Sequence, residues 1–185
     1  MIIYLLLADG FEESEAIVPA DLLMRAGADV KLVSISESLA VKGAHNITIN
    51  ANILIDEVSK DDMGCLILPG GSEGTRRLGE SIKVKTLIEA AVSKGVYIGA
   101  ICAAPSILGK MNLLDGRRAA CYPSFQNELS HSIITGKKIE HDDIFITAEG
   151  MGVSFEFGYK LIELLYGSGM TEKVKNAVRA ESKTE

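Results

Sequence analysis

Apolar positions along this chain fall into two kinds of run. Short unbroken stretches read as strands buried on both faces, and stretches with apolar residues at helical spacing read as helices lying against them. Residues 2–8 are an unbroken apolar run of strand length, and Asp9-Gly10-Phe11 turns the chain. Residues 12–27 read as an amphipathic helix, with acidic residues crowding its start, Arg25 in its last turn and Gly27 stopping it. Pro19 lies in the first turn of that helix or bends it. Residues 29–35 form a second strand, completing a β-α-β unit. Residues 39–41 and 47–49 pair as a small hairpin around Gly43-Ala44-His45-Asn46, an excursion from the main sheet. Cys65-Leu66-Ile67-Leu68 is another buried strand, ending in Pro69-Gly70-Gly71. A helix follows over 81–93, and Val96-Tyr97-Ile98 is a short strand closed by Gly99. Residues 103–108 open a helix with Pro105 in its first turn, where no N–H is required. Residues 118–122 read as a strand ended by Pro123, residues 144–148 as a further strand, and residues 153–166 as a helix. Residues 171–180 add a final helix, and the tail through Glu185 is polar and frayed.

Strands alternating with helices predict one α/β domain over residues 1–185, a three-layer αβα sandwich with a mostly parallel sheet. In such folds sites lie beyond the carboxyl ends of the strands. Three loops are expected to gather there, at 9–15, 69–74 and 101–105.

Composition narrows the function. Apolar residues make up 47% and charged residues 24%, the balance of an ordinary globular protein, and the formal net charge is −6. Together with scattered basic pairs lacking aromatic neighbours, that charge argues against nucleic acid as a partner. The apolar N-terminal run is too short for a membrane span and has no basic flank, so no membrane partner is expected. Three cysteines without a C-x-x-C pair point to a reducing compartment, the cytoplasm. The three histidines are far apart and show no zinc spacing, so neither metal nor cofactor is predicted.

Chemistry concentrates at Cys102. A strand, a sharp turn carrying Cys and a helix start form the nucleophile-elbow pattern, with unpaired N–H groups and the helix dipole beside the sulfur. The other reading is a buried structural cysteine, since free Cys is among the most buried residue types. Asp9, Glu12, Glu13 and Glu15 fill the loop where a dinucleotide fold would receive pyrophosphate, and they would repel it. Residues 69–74 are Gly-rich without a phosphate-binding Lys. They are either a tight turn or a loop whose backbone N–H groups approach the sulfur and hold an anion. Glu12 and Glu13 suit the helix dipole, whereas Glu15 lies towards the buried side. Facing Cys102, Glu15 would share one proton with it.

Several stretches together carry a resemblance. Ala-Asp-Gly-Phe-Glu-Glu-Ser-Glu-Ala at 8–16, Leu-Pro-Gly-Gly at 68–71, Ala-Ile-Cys-Ala-Ala-Pro at 100–105, Cys-Tyr-Pro at 121–123 and Ser-Phe-Glu-Phe at 154–157 span nearly the whole chain. The chain resembles the ThiJ/PfpI superfamily, in the branch of the parkinsonism-associated DJ protein and its bacterial relatives. The resemblance implies a flavodoxin-like sheet of the class I glutamine amidotransferase-like type and a homodimer. It makes Cys102 the easily oxidised nucleophile and Glu15 its partner acid. Gly70, Gly71 and Ala103 would form the anion-binding backbone, with Gly71 and Ala103 supplying N–H groups and Gly70 helping shape the loop. Tyr122 and Pro123 would line the pocket. Protease-like relatives carry His directly after the elbow Cys, where this chain has Ala103, so peptide hydrolysis is not expected. Some members have His where this chain has Tyr122, and a neutral phenol is a poor base. His45 falls in the hairpin excursion and receives no role.

The resulting expectation is a cofactor-independent glyoxalase or deglycase acting on reactive dicarbonyls or glycated adducts through Cys102, with Glu15 moving protons. Its rival is a redox sensor or redox-regulated chaperone in which oxidation of Cys102 is the function. A role in thiamine thiazole-phosphate metabolism, also attached to the superfamily, finds no phosphate site here.

Overall fold

In the computed structural model, residues 1–180 are described, and the frayed tail expected beyond them lies outside that range. The chain begins with β1 (Ile2–Leu7), α1 (Glu13–Arg25) and β2 (Asp29–Ser34), the two strands parallel and paired from Ile2 with Asp29 to Leu7 with Ser34. β3 (Ala40–Lys42) and β4 (Thr48–Asn50) form an antiparallel hairpin outside the main sheet, as their pattern predicted. β5 (Ile53–Leu54), β6 (Met63–Leu68), α2 (Ser72–Glu80), α3 (Ile82–Ser93), β7 (Tyr97–Ile101) and α4 (Pro105–Lys110) follow. β8 (Arg118–Ala119), β9 (Ile133–Ile134), β10 (Ile139–Asp142), β11 (Phe145–Ala148), α5 (Ser154–Tyr166) and α6 (Ser168–Ala177) complete the described chain. The seven-stranded sheet runs β10-β11-β7-β6-β1-β2-β5 and is parallel except for β10, which pairs antiparallel with β11.

Strand alternation builds the three layers. Ile3, Leu5, Leu7, Cys65 and Ile67 pack on one side with Leu22, Phe157, Leu161 and Val174 of α1, α5 and α6. Tyr4, Leu6, Leu66 and Leu68 pack on the other with Leu78, Ile88 and Leu108 of α2, α3 and α4. Each fully buried side chain of this size contributes about 1.5–3 kcal/mol. Because β1 and β6 are covered on both faces, their sequences show no polar alternation.

Some expectations need correction. Gly99 does not close its strand. β7 runs through it to Ile101, and a Cβ at Gly99 would stand 2.9 Å from Phe157 Cζ, so glycine is there to let α5 approach. Only Arg118–Ala119 of the expected strand 118–122 is extended, and it pairs with β9 in a separate two-stranded sheet. Pro123–Leu129 is a 3-10 turn. α2 was not foreseen, because Gly74 and Gly79 weaken the helical pattern. Arg76, which pairs with Glu73 and Glu80, and Arg77, which pairs with Glu73, hold its exposed face. Pro19 sits inside α1 rather than in its first turn, and it removes the N–H that would otherwise bond the Glu15 carbonyl. The last helix begins at Ser168 rather than at 171. Among the described residues, no helix is long and apolar enough to cross a membrane.

Candidate active site

The carboxyl ends of β1, β6 and β7 bring together the loops that the sequence placed there. Cys102 follows β7 directly and holds φ at +65°, a left-handed conformation that non-glycine residues seldom adopt. Its backbone is tied on both sides. Its N–H donates to the Ala148 carbonyl at 2.9 Å. Its carbonyl accepts the Tyr122 N–H at 2.9 Å and the Cys121 thiol at 3.2 Å. Such anchoring over-determines a conformation that costs about 1–3 kcal/mol. The helix after it, α4, spans only six residues. The expected dipole support is correspondingly small, and nearby N–H groups matter more.

Glu15 lies on the first turn of α1 and is fully buried. Its Oε2 accepts the Gly70 N–H at 3.0 Å, while Oε1 has no hydrogen-bond partner among the described residues. The carboxyl couples to the Cys102 thiol. Burial pushes Glu15 up to about 7, with the bond to Cys102 opposing the shift. Burial pushes Cys102 up to about 12, and the neighbouring Glu15 charge and hydrogen bond add to it. The N–H groups of Gly71 and Ala103 pull in the opposite direction, towards the thiolate. Both shifts describe one shared proton. When the carboxyl holds it, the charge that raises the thiol disappears and the acid proton can be donated to sulfur.

The glycine loop is shaped by close approach. A Cβ at Gly70 would stand 2.5 Å from Glu15 Oε2 and 2.6 Å from Cys102 Cβ. Gly71 holds φ at +87°, and a Cβ there would collide with the Gly10 carbonyl. Expected roles therefore divide. Gly71 and Ala103 reach the sulfur, whereas the Gly70 N–H is committed to Glu15 and is not a donor to the anion.

Cys102 opens into a cavity of about 520 Å³ whose lining includes Gly71, Ser72, Tyr122 and Phe125. Tyr122 is half exposed there and also borders a neighbouring cavity of about 550 Å³. Pro123 belongs to that second cavity and not to the one at Cys102. Cys65 and Cys121 are buried, and burial pushes each thiol up to about 12.

The hairpin excursion folds back over the site and brings His45 to the same cavity. Gly10 N–H donates to the Lys42 carbonyl at 2.7 Å and Ala44 N–H to the Phe11 carbonyl at 2.8 Å. Glu13 is therefore not a simple dipole partner. It accepts the His45 backbone N–H at 2.8 Å, and its Oε2 lies 2.9 Å from the ring Nδ1. Burial works against the Glu13 charge, but these hydrogen bonds outweigh it and hold its pKa below the ordinary value. The Glu13 hydrogen bond, aided by the Glu12 charge, raises the His45 pKa. Glu12, Glu13 and His45 place potential ligand atoms within 4.8 Å of one another, a grouping that could hold a metal ion. Nothing in the spacing of these residues signals the contact. Only the unusual Gly43, where a Cβ would overlap the Glu13 carboxyl, hints that the hairpin must approach α1 closely.

Comparison with known proteins agrees with this architecture. The DJ-1/PfpI family pattern matches residues 1–164. Protein dj-1beta of Drosophila melanogaster is 35% identical over 171 residues, covering 91% of each chain. Its crystal structure superposes with a TM-score of 0.93 at 33% identity, covering 98% of each chain. Glutathione-independent glyoxalase DJR-1.2 of Caenorhabditis elegans is 31% identical over 168 residues, covering 88% of this chain and 87% of that protein. Against two longer Arabidopsis thaliana relatives, the matched region spans 37% and 44% of their length. By these matches, the chain belongs to the DJ-1/PfpI family.

Proposed function

We propose that this protein is a cofactor-independent thiol enzyme that converts reactive dicarbonyls, or the adducts they leave on amines, to hydroxy acids. Membership of the family supports a role of the glyoxalase or deglycase type, and the C. elegans relative is named as a glutathione-independent glyoxalase. The observation that carries the reading is the buried Glu15 carboxyl meeting Cys102 at Gly70, with Cys102 lining an open cavity.

The thiolate of Cys102 adds to the aldehyde carbon of methylglyoxal, and the resulting alkoxide takes the proton of Glu15 to give a hemithioacetal. Glu15, now a carboxylate, removes the hydrogen on that carbon as a proton and returns it to the neighbouring carbon, while the hydroxyl proton passes to the former ketone oxygen. The product is a lactoyl thioester, which water hydrolyses to lactate and the thiolate; of the two protons set free, one returns to Glu15 and one is released. The N–H groups of Gly71 and Ala103 stabilise negative charge near the sulfur. No His follows Cys102, so the site lacks the Cys-His pair of a protease of this type. The protein acts as a homodimer in this reading, and a monomer mass by light scattering at working concentration would remove that part.

Turnover of methylglyoxal to lactate without glutathione tests the reading, on reduced protein and on samples titrated with hydrogen peroxide. Activity falling in step with oxidation of Cys102 supports the enzyme. A second reading, the redox sensor, is favoured by one observation: Cys102 is the partly exposed thiol, whereas Cys65 and Cys121 are buried. No turnover, with one-site oxidation of Cys102 at low peroxide, would replace the enzyme by that sensor.

A further inference from the structure

Methylglyoxal is small beside the space around Cys102. The cavity at the thiol measures about 520 Å³, and a second of about 550 Å³ adjoins it. Each falls in the range of about 300–1,000 Å³ typical of small-molecule sites. Tyr122 and Ser124 line both cavities, so the two share a wall. The Tyr122 ring rests on Gly150, where a Cβ would stand 3.5 Å from its Cδ2. A substrate held at Cys102 and longer than a dicarbonyl meets the second cavity at that wall.

The lining of the second cavity is of two kinds. Tyr122, Pro123, Met151 and Val153 present apolar surface, and Tyr122 and Met151 are about half exposed. Lys138 and Glu149 add one charge of each sign. Their placement follows from the sheet. Ile139 of β10 is opposite Ala148 of β11 in antiparallel register, and the Glu149 N–H donates to the Lys138 carbonyl at 2.8 Å. Residues opposite one another across such a ladder turn their side chains to the same face. Neither charged group is spent on the protein. Among the described residues, the side chains of Lys138 and Glu149 make no hydrogen bond and no ion pair, whereas the neighbouring Lys137 is paired with Glu140 at 3.5 Å. An apolar wall with an unspent cation and an unspent anion matches a ligand with an apolar stem, a carboxylate and an ammonium.

We propose that the second cavity is the subsite for the amino-acid part of a dicarbonyl adduct, with Lys138 receiving its α-carboxylate and Glu149 its α-ammonium. The proposal rests on the thiol-enzyme reading given above and narrows its substrate to free amino acids modified on a side-chain nitrogen. Such an adduct carries its reactive carbon at one end, methylene groups in the middle and both α-charges at the other. A residue inside a polypeptide carries neither α-charge, so proteins are poorer substrates. At Cys102 one step differs from the methylglyoxal reaction. The thiolate bonds to the adduct carbon as the carbon–nitrogen bond breaks, and the nitrogen leaves with the proton of Glu15. The same hemithioacetal and the same Glu15 carboxylate result, and the remaining steps are unchanged.

Arginine and its Nα-acetyl amide, each pre-equilibrated with methylglyoxal, test this. Their guanidinium groups take up the dicarbonyl alike, and only arginine keeps both α-charges. Lactate formation from each is followed with wild type and with the Lys138→Ala/Glu149→Gln double variant, alongside methylglyoxal alone. Two exposed ion pairs predict that wild type favours the arginine adduct by about tenfold in kcat/KM. The double variant is expected to lose that preference through KM, with its kcat on the arginine adduct retained. A wild type that treats both adducts alike overturns the proposal, and so does a preference that survives in the double variant. Lactate drawn only from methylglyoxal shed by the adducts would not depend on Lys138 and Glu149, which again overturns it while leaving the thiol enzyme standing. No turnover of any of the three by wild type, with Cys102 still alkylated by iodoacetamide, removes the enzyme reading and this one together.

Discussion

Cys65 and Cys102 sit in neighbouring parallel strands or just beyond one, and the protein treats them in opposite ways. Cys65 lies within β6 with regular strand pairing, its thiol in a fully buried layer under α1 and α5. Its thiol makes a weak bond to the Leu66 carbonyl at 3.9 Å. Cys102 lies one residue past the end of β7, in a left-handed backbone conformation, partly exposed and opposite an acid. Burial raises both thiols, and backbone groups oppose the shift at each, but of the two Cys102 is the one that faces the Glu15 carboxyl. The different surroundings of the two thiols thus follow from position at the carboxyl edge of the sheet, where loops rather than neighbouring strands supply the neighbours.

The largest effect that would break this contrast is loss of turnover. Cys102→Ser should lower methylglyoxal turnover by at least about a thousandfold with the fold retained. Cys65→Ser should leave turnover intact and lower stability by about 1–3 kcal/mol, because a hydroxyl replaces the thiol in a dry layer. Full turnover by Cys102→Ser would sink the mechanism. Next in size is chemical selectivity. Iodoacetamide or peroxide should modify Cys102 at least about a hundredfold faster than Cys65, which reacts only on unfolding. Mass spectrometry of partly modified protein reads the ratio, and comparable rates would erase the distinction.

A thermodynamic test sharpens the role of the acid. Glu15 holds its proton more tightly folded than unfolded, with a pKa raised from 4.5 to about 7. Its contribution is therefore complete below the unfolded value and is lost as pH rises through the folded one. Glu15→Gln should gain stability relative to wild type between pH ~4.5 and ~7, by about 3 kcal/mol at the upper end. Denaturant titrations across that window measure it, and a constant difference would show that the acid is not proton-linked. The smallest effect separates two glycines. Gly70→Ala should force apart Glu15 and Cys102 and slow Cys102 alkylation about tenfold or more, a modest displacement in catalytic terms. Gly99→Ala should cost about 1–3 kcal/mol by overpacking Phe157 while leaving alkylation unchanged. Equal alkylation rates in the two variants would show that the Gly70 loop does not set the geometry.

Much of this was legible in the residues. Buried central strands announce themselves as unbroken apolar runs, so β1, β6 and the β-α-β start were clear. Cys102 and Glu15 were visible because a Cys between a strand and a Pro-led helix, and an acid on the apolar side of a helix start, are local patterns. The short edge strands β5, β9 and β10 carry too few residues for any period, and α2 hides behind its glycines. That Pro123 borders the cavity next to the one at Cys102, and that the Gly70 N–H goes to Glu15 rather than to an anion, were not legible, because both depend on which group faces which.

His45 marks the boundary most clearly. Its neighbours in sequence are turn residues, and nothing within the hairpin says where the turn will rest. By itself the sequence determined the layered α/β class, the central strands, and which loops carry Cys102 and Glu15, because those follow from local hydrophobic period and local turn chemistry. Only the tertiary structure decided that the β3–β4 turn closes over α1 and brings His45, bonded to Glu13, to the cavity that Cys102 lines. That contact joins residues more than thirty positions apart through hydrogen bonds, and no periodicity in a chain records a long-range hydrogen bond.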